Sequence, residues 1–149
     1  MRIALYQPEI AGNVGAILRL SACYGVPVDI IEPCGFAFSD KRLARAGMDY
    51  VADAEIVRHA GWDAFDAQRR GRIALMTTRG AVPLHDARFE PDDILLMGSE
   101  SAGVPDAVHD SAGLRIRIPL RAGFRSLNLG MSAGIALTEA LRQTGGMPA

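Results

Sequence analysis

The sequence is poor in the residues that build disulfide frameworks and metal centres. It contains only two cysteines and three histidines. Cys23 and Cys34 form no CxxC pair, and His59, His85 and His109 are scattered along the chain. The ligand spacing of a zinc site is therefore missing, and no metal is expected. Because free cysteine is among the residue types most often buried, both thiols are interpreted as packing residues.

The sequence also lacks a long apolar run and an excess of either charge. No apolar run approaches the roughly 20 residues that cross a bilayer, and the first apolar run is too short for a signal peptide, so a cytoplasmic protein is expected. The formal net charge of -1 excludes a basic surface over the whole molecule and leaves local clusters to bind any nucleic acid. Lys41 is the sole lysine. Positive charge therefore rests on arginine, whose planar guanidinium suits phosphate, although genomic base composition also accounts for this bias.

What the chain does contain is an alternation of strand-like and helical patterns. Strands are predicted at "RIALY", "VPVDII", "RIALMT", "DDILLMG" and "LRIRIPL". Helices are predicted at "NVGAILRLSACYG", "SDKRLARAG", "GWDAFDAQRRG", "VPDAVHDS" and "SLNLGMSAGIALTEALRQ". This alternation predicts an α/β fold, a parallel sheet with helices on both faces, with residues 1–149 as a single domain. In such sheets ligands bind at the carboxyl ends of the strands.

The first predicted helix carries a candidate functional arginine. Arg19 lies nearly opposite the apolar face of this helix, one turn after Gly15. A glycine beneath an arginine lets another molecule approach the helix closely. Asn13 is predicted to cap the start of the helix. The alternative is an ordinary surface arginine on an amphipathic helix.

The segment "LLMGSESAGVP" predicts a strand followed by a glycine-rich turn. Gly98 and Gly103 surround Glu100 and allow a ligand to touch backbone amides. The segment is neither GxGxxG nor a P-loop, so it does not by itself indicate a pyrophosphate. Ser101 comes close to a nucleophile elbow, but Ser99 stands where the GxSxG motif needs glycine. A tight surface turn with a solvated glutamate is the alternative.

The C-terminal part of the chain is locally positive. Residues 111–138 contain no acidic side chain but include four arginines, which are Arg115, Arg117, Arg121 and Arg125. In "LRIRI" the isoleucines alternate with Arg115 and Arg117, so the isoleucines are expected to pack and the two arginines to point to the other side of the strand. The alternative for these two arginines is an exposed face of the sheet. Arg121 and Arg125 flank Gly123 in a predicted loop, where no packing pattern requires them, and are better binding candidates.

The last predicted helix opens with unusual residues. Ser126 or Asn128 can cap exposed backbone amides or contact a ligand. Gly130 and Gly134 form a flat stripe on one face, although each glycine costs roughly 1 kcal/mol relative to alanine in a helix. No charge appears between Ser126 and Thr138, so the helix is expected to be buried on most sides, in a subunit interface or in the core of one subunit.

Three segments together resemble the SPOUT class of RNA methyltransferases. They are "NVGAILR", "LLMGSESAGVP" and "IPLRAGFRSLNLGMSAGIAL". A fourth, "IIEPCGFAFSDKRLARAGMDY", is similar to the branch that methylates the ribose of the tRNA wobble nucleotide, the tRNA (cytidine/uridine-34-2′-O)-methyltransferases. As in that branch, no appended RNA-binding domain is expected. The resemblance implies a parallel sheet with a C-terminal trefoil knot, a topology that periodicity does not predict because knots are nearly absent from proteins.

The resemblance further implies a cofactor, an oligomeric state and site residues. The methyl donor is S-adenosylmethionine, with no metal, and the proteins of the class are homodimers. By position, the cofactor contacts are Met76, Gly98, Ile118 and Ser126. Arg19 corresponds to the arginine regarded as catalytic, and a guanidinium is a poor base at neutral pH, so it is expected to position phosphate and stabilise the developing alkoxide. Glu100 is expected to orient Arg19, and Asn128 to hold the hydroxyl or a loop.

The implied macromolecular partner is the tRNA anticodon loop. The residues expected to bind this RNA are Lys41, Arg42, Arg45, Arg121 and Arg125, pooled over two subunits. For the lysine group, a solvated helix face is the alternative. Three other functions stay open: a methyltransferase for another RNA site, a non-catalytic flavodoxin-like nucleotide-binding module, and a small serine hydrolase built on Ser101 and His109.

Overall fold

The computed structural model describes residues 1–39, 41, 51–79 and 82–149. The strands are β1 (Arg2–Tyr6), β2 (Val28–Ile31), β3 (Ile56–His59), β4 (Ile73–Met76), β5 (Val82–Pro83), β6 (Ile94–Met97) and β7 (Leu114–Arg117). The α-helices within these ranges are α1 (Ala11–Tyr24), α2 (Trp62–Gln68), α3 (Asp106–Ser111) and α4 (Leu129–Thr144). Two single-turn 3₁₀ segments are also present in the described residues: Val51–Asp53 lies before β3, and Leu84–Asp86 follows β5.

The strands form one seven-stranded sheet in the order β3-β2-β1-β6-β4-β7-β5. Every pairing between neighbouring strands is parallel, which confirms the predicted sheet. Two strands escaped the sequence analysis. In β3 only His59 is buried, and β5 is a two-residue strand with a proline, so neither has a strong apolar signal.

Helices cover both faces of the sheet, as predicted. On one face α1 and α4 enclose the larger core cluster, which includes Ile17 and Leu137. On the other face Phe65 of α2 and Val108 of α3 belong to the second cluster. Burying an aliphatic or aromatic side chain of this size stabilises the fold by roughly 1.5–3 kcal/mol. The trefoil knot stays an expectation from the resemblance.

The starts of α1 and α4 differ from the predicted ones. Asn13 does not cap α1, because it lies within the helix, where only 8% of its surface is exposed. The N-cap is Ile10, whose side chain caps nothing. Asn128 does cap α4, since its side chain accepts from the backbone N–H groups of Gly130 and Met131. Ser126 precedes that helix in the loop.

The last helix is not buried on most sides within one chain. Ala133, Leu137 and their neighbours on one face are buried, whereas Met131 is 60% and Ile135 40% exposed. The face that lacks charge is therefore partly open to solvent. The prediction that Cys23 is a packing residue is also wrong, because this thiol is exposed. Among the residues that the structure describes, no helix has the length and apolar character to traverse a membrane.

Candidate active site

A cleft of about 700 Å³ opens at the carboxyl ends of three adjacent strands, β6, β4 and β7. Ligand-binding clefts typically have volumes of about 300–1,000 Å³. Residues following these strands line it, together with the loop before α4 and the first residues of α1. The parallel sheet explains this convergence, because strand ends that are distant in sequence meet at one edge.

The four residues predicted to bind a cofactor all line this cleft. Met76 ends β4, Gly98 follows β6, Ile118 follows β7, and Ser126 lies in the loop before α4. Leu127 adds a further apolar wall. The lining therefore combines apolar side chains with hydroxyl and backbone groups, a combination that suits a nucleoside.

Glycine is required where the loop after β6 turns beside the cleft. A Cβ on Gly98 would lie 2.7 Å from both the carbonyl carbon and Cα of Gly103. The backbones of Ser99 and Gly103 are joined by two N–H to O hydrogen bonds of 2.9 Å. Gly103 adopts a φ of 66°, which is costly for residues with a side chain. The two glycines thus keep this wall of the cleft thin.

A chain of side-chain hydrogen bonds joins the three segments around the cleft. The Asn13 amide Nδ2 donates to Glu100 Oε1 over 3.1 Å, and Asn13 Oδ1 accepts from Asn128 Nδ2 over 2.8 Å. Asn128 Oδ1 accepts in turn from the backbone N–H of Gly130 over 2.9 Å. Asn13 is therefore a buried hub between the loop after β6 and the start of α4. The sequence analysis interpreted it only as a cap.

Glu100 holds the chain before α1. Its Oε2 accepts from the backbone N–H of Glu9 over 2.8 Å, and its Oε1 accepts from the N–H of Ile10 over 3.2 Å. An anionic acceptor at the positive end of a helix is favourable, because the first amides lack partners within the helix. The structure thus gives Glu100 a capping task that the sequence analysis missed. The prediction that Glu100 orients Arg19 stays a prediction.

Glu9 reinforces the same junction from the other side. Its carboxylate accepts from Ser101 N–H over 2.8 Å and from Ser101 Oγ–H over 2.6 Å. The hydrogen bond from the Ser101 hydroxyl, followed by the one from its backbone N–H, lowers the pKa of the Glu9 carboxyl. The Ser101 hydroxyl is therefore directed to a carboxylate and not to an imidazole, which removes the basis for a hydrolase built on Ser101 and His109.

Three arginines surround the cleft. Arg125 was predicted as a binding residue and lines it, as do Arg79 and Arg117, which the sequence analysis did not place in a site. Arg79 pairs with Asp106 over 2.9 Å. The alternation in "LRIRI" was the only signal for Arg117, and "TTRG" offered none for Arg79. Arg121 is exposed outside the lining.

The remaining predicted residues lie away from the cleft. Arg19 is exposed on α1 and is not part of the lining. It follows Asn13 by about six positions, which places it roughly 9 Å along the helix axis and about 120° around it. Lys41 is exposed, and Arg42 and Arg45 lie outside the described residues. The cleft of one chain thus brings together Glu100, Asn128 and the four predicted cofactor contacts, but not Arg19.

The comparisons with known proteins agree with this geometry. Residues 1–138 match the model of the SpoU rRNA Methylase family. A protein of Beijerinckia indica named tRNA (cytidine(34)-2′-O)-methyltransferase is 51% identical over 148 residues, covering 97% of this chain and 92% of that protein. A solved structure concerned with 2-OH methylation of C/U34 on tRNA has a TM-score of 0.90 and 38% identity, covering 95% of this chain and 94% of that one.

A second solved structure bears on the cofactor. An AdoMet-bound rRNA methyltransferase from Sinorhizobium meliloti has a TM-score of 0.84 and 29% identity to this chain. The match covers 95% of this chain and 55% of that longer one. The similarity therefore extends over nearly all of the fold that carries the cleft.

Proposed function

Because this chain belongs to the SpoU rRNA methylase family, we propose that it transfers a methyl group from S-adenosylmethionine to the ribose 2′-hydroxyl of the wobble nucleotide, position 34, of tRNA. The observation that carries the proposal is the convergence of three distant segments on one cleft, joined by the chain Glu100–Asn13–Asn128. The relatives with this activity in their names match over nearly their whole length. The proposal treats residues 1–149 as one methyltransferase domain.

The lining of the cleft fits the methyl donor. Met76 and Ile118 offer apolar surface for an adenine ring, Ser126 offers a hydroxyl, and the bare backbone at Gly98 allows close approach. The cationic side chain of Arg125 at the cleft suits a carboxylate or a phosphate. When bound, S-adenosylmethionine supplies an electrophilic methyl group on a sulfonium. These residues hold and orient it in our proposal.

Alignment is the main catalytic contribution of this chain. Holding a hydroxyl in line with a methyl group converts a bimolecular encounter into an effectively unimolecular step, which is worth roughly 7–11 kcal/mol in favourable cases. The hydrogen bonds of Glu100 and Asn128 fix the two loops that frame the cleft. We therefore assign Glu100 and Asn128 to positioning the walls of the site.

Arg19 is assigned to the phosphate and to the developing alkoxide. A guanidinium keeps its proton at neutral pH, so it acts as a fixed positive charge and not as the base. Because Arg19 is exposed on α1 and outside the cleft of its own chain, we place its action across a homodimer contact, on the cleft of a second copy. Met131 and Ile135 on the open face of α4 supply apolar surface for that contact.

RNA binding rests on local positive charge. Lys41, Arg121 and Arg125 are exposed, and a dimer doubles their number. Each phosphate that such a side chain neutralises adds about 0.7–0.9 to the slope of log affinity against log salt. Arg125→Ala is expected to lower this slope for tRNA by about 1 per site. An unchanged slope would remove this residue from the interface.

The role of Arg19 is tested by kinetics of methyl transfer. Arg19→Ala is expected to lower turnover by roughly 10²–10³-fold, the range for removing a preorganised electrostatic donor. Arg19→Lys is also expected to lower turnover, because an ammonium group keeps the charge but lacks the planar fork of donors. Calorimetry with S-adenosylhomocysteine is expected to give the wild-type affinity, and Arg70→Ala serves as a control for loss of an exposed positive charge. Equal losses in turnover and cofactor affinity would refute the role.

The placement of Arg19 across the dimer is tested separately. Subunits carrying Arg19→Ala are mixed with subunits whose cleft is blocked by Ile118→Trp. If Arg19 acts on the cleft of the other copy, mixed dimers regain one working site although each parent is inactive. No regained activity in mixed dimers would contradict the action of Arg19 across the dimer.

A further inference from the structure

A second cavity, of about 440 Å³, opens beside the segment that follows β2. Phe36, Phe38 and Arg58 form one of its walls, and we refer to these three side chains as the aromatic shelf. The rings of Phe36 and Phe38 lie 6.4 Å apart between centroids, with 26° between their planes. Arg58 Cζ lies 4.6 Å from the centroid of the Phe38 ring. The shelf is thus a layer of flat groups.

The shelf is anchored on one side and open on the other. Phe36 and Phe38 are partly buried against the larger core cluster, which fixes the rings. The Arg58 side chain is 47% exposed and forms an ion pair with Glu32, which is 29% exposed. Because the charges of Arg58 and Glu32 offset each other, the cavity has no net positive charge from this pair with which to bind phosphate groups. It presents a planar cation together with N–H donors and carboxylate acceptors.

The cavity shares a rigid support with the proposed methyl-transfer cleft. The Gly35 N–H donates to the Pro8 carbonyl over 2.9 Å, and a Cβ on Gly35 would lie 2.9 Å from Glu9 Cα. Glu9 is the residue whose backbone N–H binds Glu100 at the cleft. The shelf and the cleft therefore both border the short stretch of chain that contains Pro8 and Glu9.

The charges around Cys34 agree with this proximity. Burial, and then the charges of Glu32 and Glu100, raise the pKa of the Cys34 thiol, while the charge of Arg58 lowers it. Cys34 lines the cavity. The Glu100 carboxylate at the cleft is therefore within electrostatic range of the cavity beside the shelf.

The planar side chains of the shelf and the polar groups of Glu32 and Arg58 are suited to binding a nucleobase. Single-stranded RNA is recognised by bases that leave the stack, lie on aromatic rings or guanidinium planes, and form hydrogen bonds through their edges. Carboxylates such as Glu32 accept from exocyclic amino groups, and arginine donates to base oxygen and nitrogen atoms. Simple packing of a loop requires the phenylalanines but not a half-exposed arginine over the ring of Phe38.

We propose that the aromatic shelf binds an unstacked nucleobase of the substrate RNA, from a nucleotide that flanks the methylated one. This inference rests on the proposed function, since it takes the RNA in the neighbouring cleft as given. The shelf holds the flanking base by stacking, and the Glu32–Arg58 pair contacts its edge. The target ribose is thereby positioned at the cleft while its neighbour is held at the adjacent shelf.

The experiment places the fluorescent base 2-aminopurine at each position flanking the target nucleotide of an anticodon stem-loop, one RNA at a time. With the wild-type protein and S-adenosylhomocysteine, one flanking position is expected to change its fluorescence on binding. Phe38→Leu and Arg58→Ala are expected to abolish that change and to lower kcat/KM for RNA by roughly 5- to 150-fold, the range for stacking a base on an aromatic side chain. Affinity for S-adenosylhomocysteine is expected to stay unchanged.

Two further variants separate stacking from charge and from misfolding. Arg58→Lys keeps the positive charge but lacks the planar guanidinium group, so it is expected to behave like Arg58→Ala. Arg70→Ala removes an exposed arginine elsewhere and is expected to behave like the wild type. Phe38→Tyr keeps a ring and is expected to retain the signal, which covers the case in which Phe38→Leu does not fold.

The outcomes are distinguishable. The inference is overturned if no flanking position responds, or if Arg58→Lys retains full kcat/KM. It is also overturned if shelf variants change the oligomeric state and leave the fluorescence intact, because a second copy then occupies the cavity. A wild type that binds the RNA but transfers no methyl group contradicts the proposed function, while the fluorescence still decides on the shelf.

Discussion

The hydrogen bonds by which Glu100 holds the chain before α1 predict a specific loss of stability in Glu100→Gln. Glutamine keeps the shape and one acceptor oxygen, but its NH₂ group then faces a donor. The favourable orientation keeps oxygen toward the N–H of Ile10 and Nδ2 of Asn13 and turns NH₂ toward the N–H of Glu9. One hydrogen bond to a charged acceptor is lost, which costs about 1.5–3 kcal/mol.

Urea unfolding measures this loss. For an m-value of about 2 kcal/mol/M, a loss of about 2 kcal/mol lowers the midpoint by roughly 1 M. Glu55→Gln is the matched control, because the Glu55 side chain is 68% exposed and lies 3.6 Å from Arg2. The control is expected to stay within about 0.5 kcal/mol of the wild type. A Glu100→Gln protein as stable as the control would refute the stabilising role of the Glu100 hydrogen bonds before α1.

Three further predictions follow from the described contacts. Gly98→Ala is expected to cost roughly 1–3 kcal/mol and to weaken calorimetric binding of S-adenosylhomocysteine, because its Cβ would meet backbone, whereas Gly12→Ala, with open space around it, is expected to cost nothing. Hydrogen bonds from Arg142 and Gln143 lower the pKa of Glu139 to about 2, so this carboxylate stabilises the fold above its ordinary pKa of about 4.3. That stabilisation is lost as the pH falls toward about 2, and Glu139→Gln should be less stable than wild type at pH 7 but equal to it near pH 2; a constant difference would contradict this. Met131→Glu is expected to halve the mass measured by light scattering, and an unchanged mass would exclude Met131 from the dimer contact.

Local sequence patterns predicted the elements of the sheet well. The strand "RIALY" coincides with β1 (Arg2–Tyr6), because a strand buried in a parallel sheet is a short apolar run with clear ends. The same reasoning missed β3 (Ile56–His59), since an edge strand with exposed positions lacks that pattern. An apolar strand pattern arises because buried positions are occupied by apolar residues, so the pattern is weak in strands whose side chains are mostly exposed.

The contacts that shape the site are less visible in the sequence. Glu100 binds the N–H of Ile10, which precedes it by 90 positions, and Asn128 binds Asn13 across 115 positions. No periodicity encodes such pairs, because they depend on which strand ends become neighbours. The four predicted cofactor contacts could be named only because the family resemblance assigned them by position; they are Met76, Gly98, Ile118 and Ser126, and all of them line the cleft.

The reaction at nucleotide 34 is tested most directly by mapping the product. The protein is incubated with S-adenosylmethionine and tRNA that lacks the modification, and the RNA is digested and analysed by mass spectrometry at each nucleotide. The proposal predicts one added methyl group, on the ribose 2′-oxygen of position 34, and none when that nucleotide is supplied as its 2′-deoxy form. A methyl group on a base, on another nucleotide, or nowhere would contradict it.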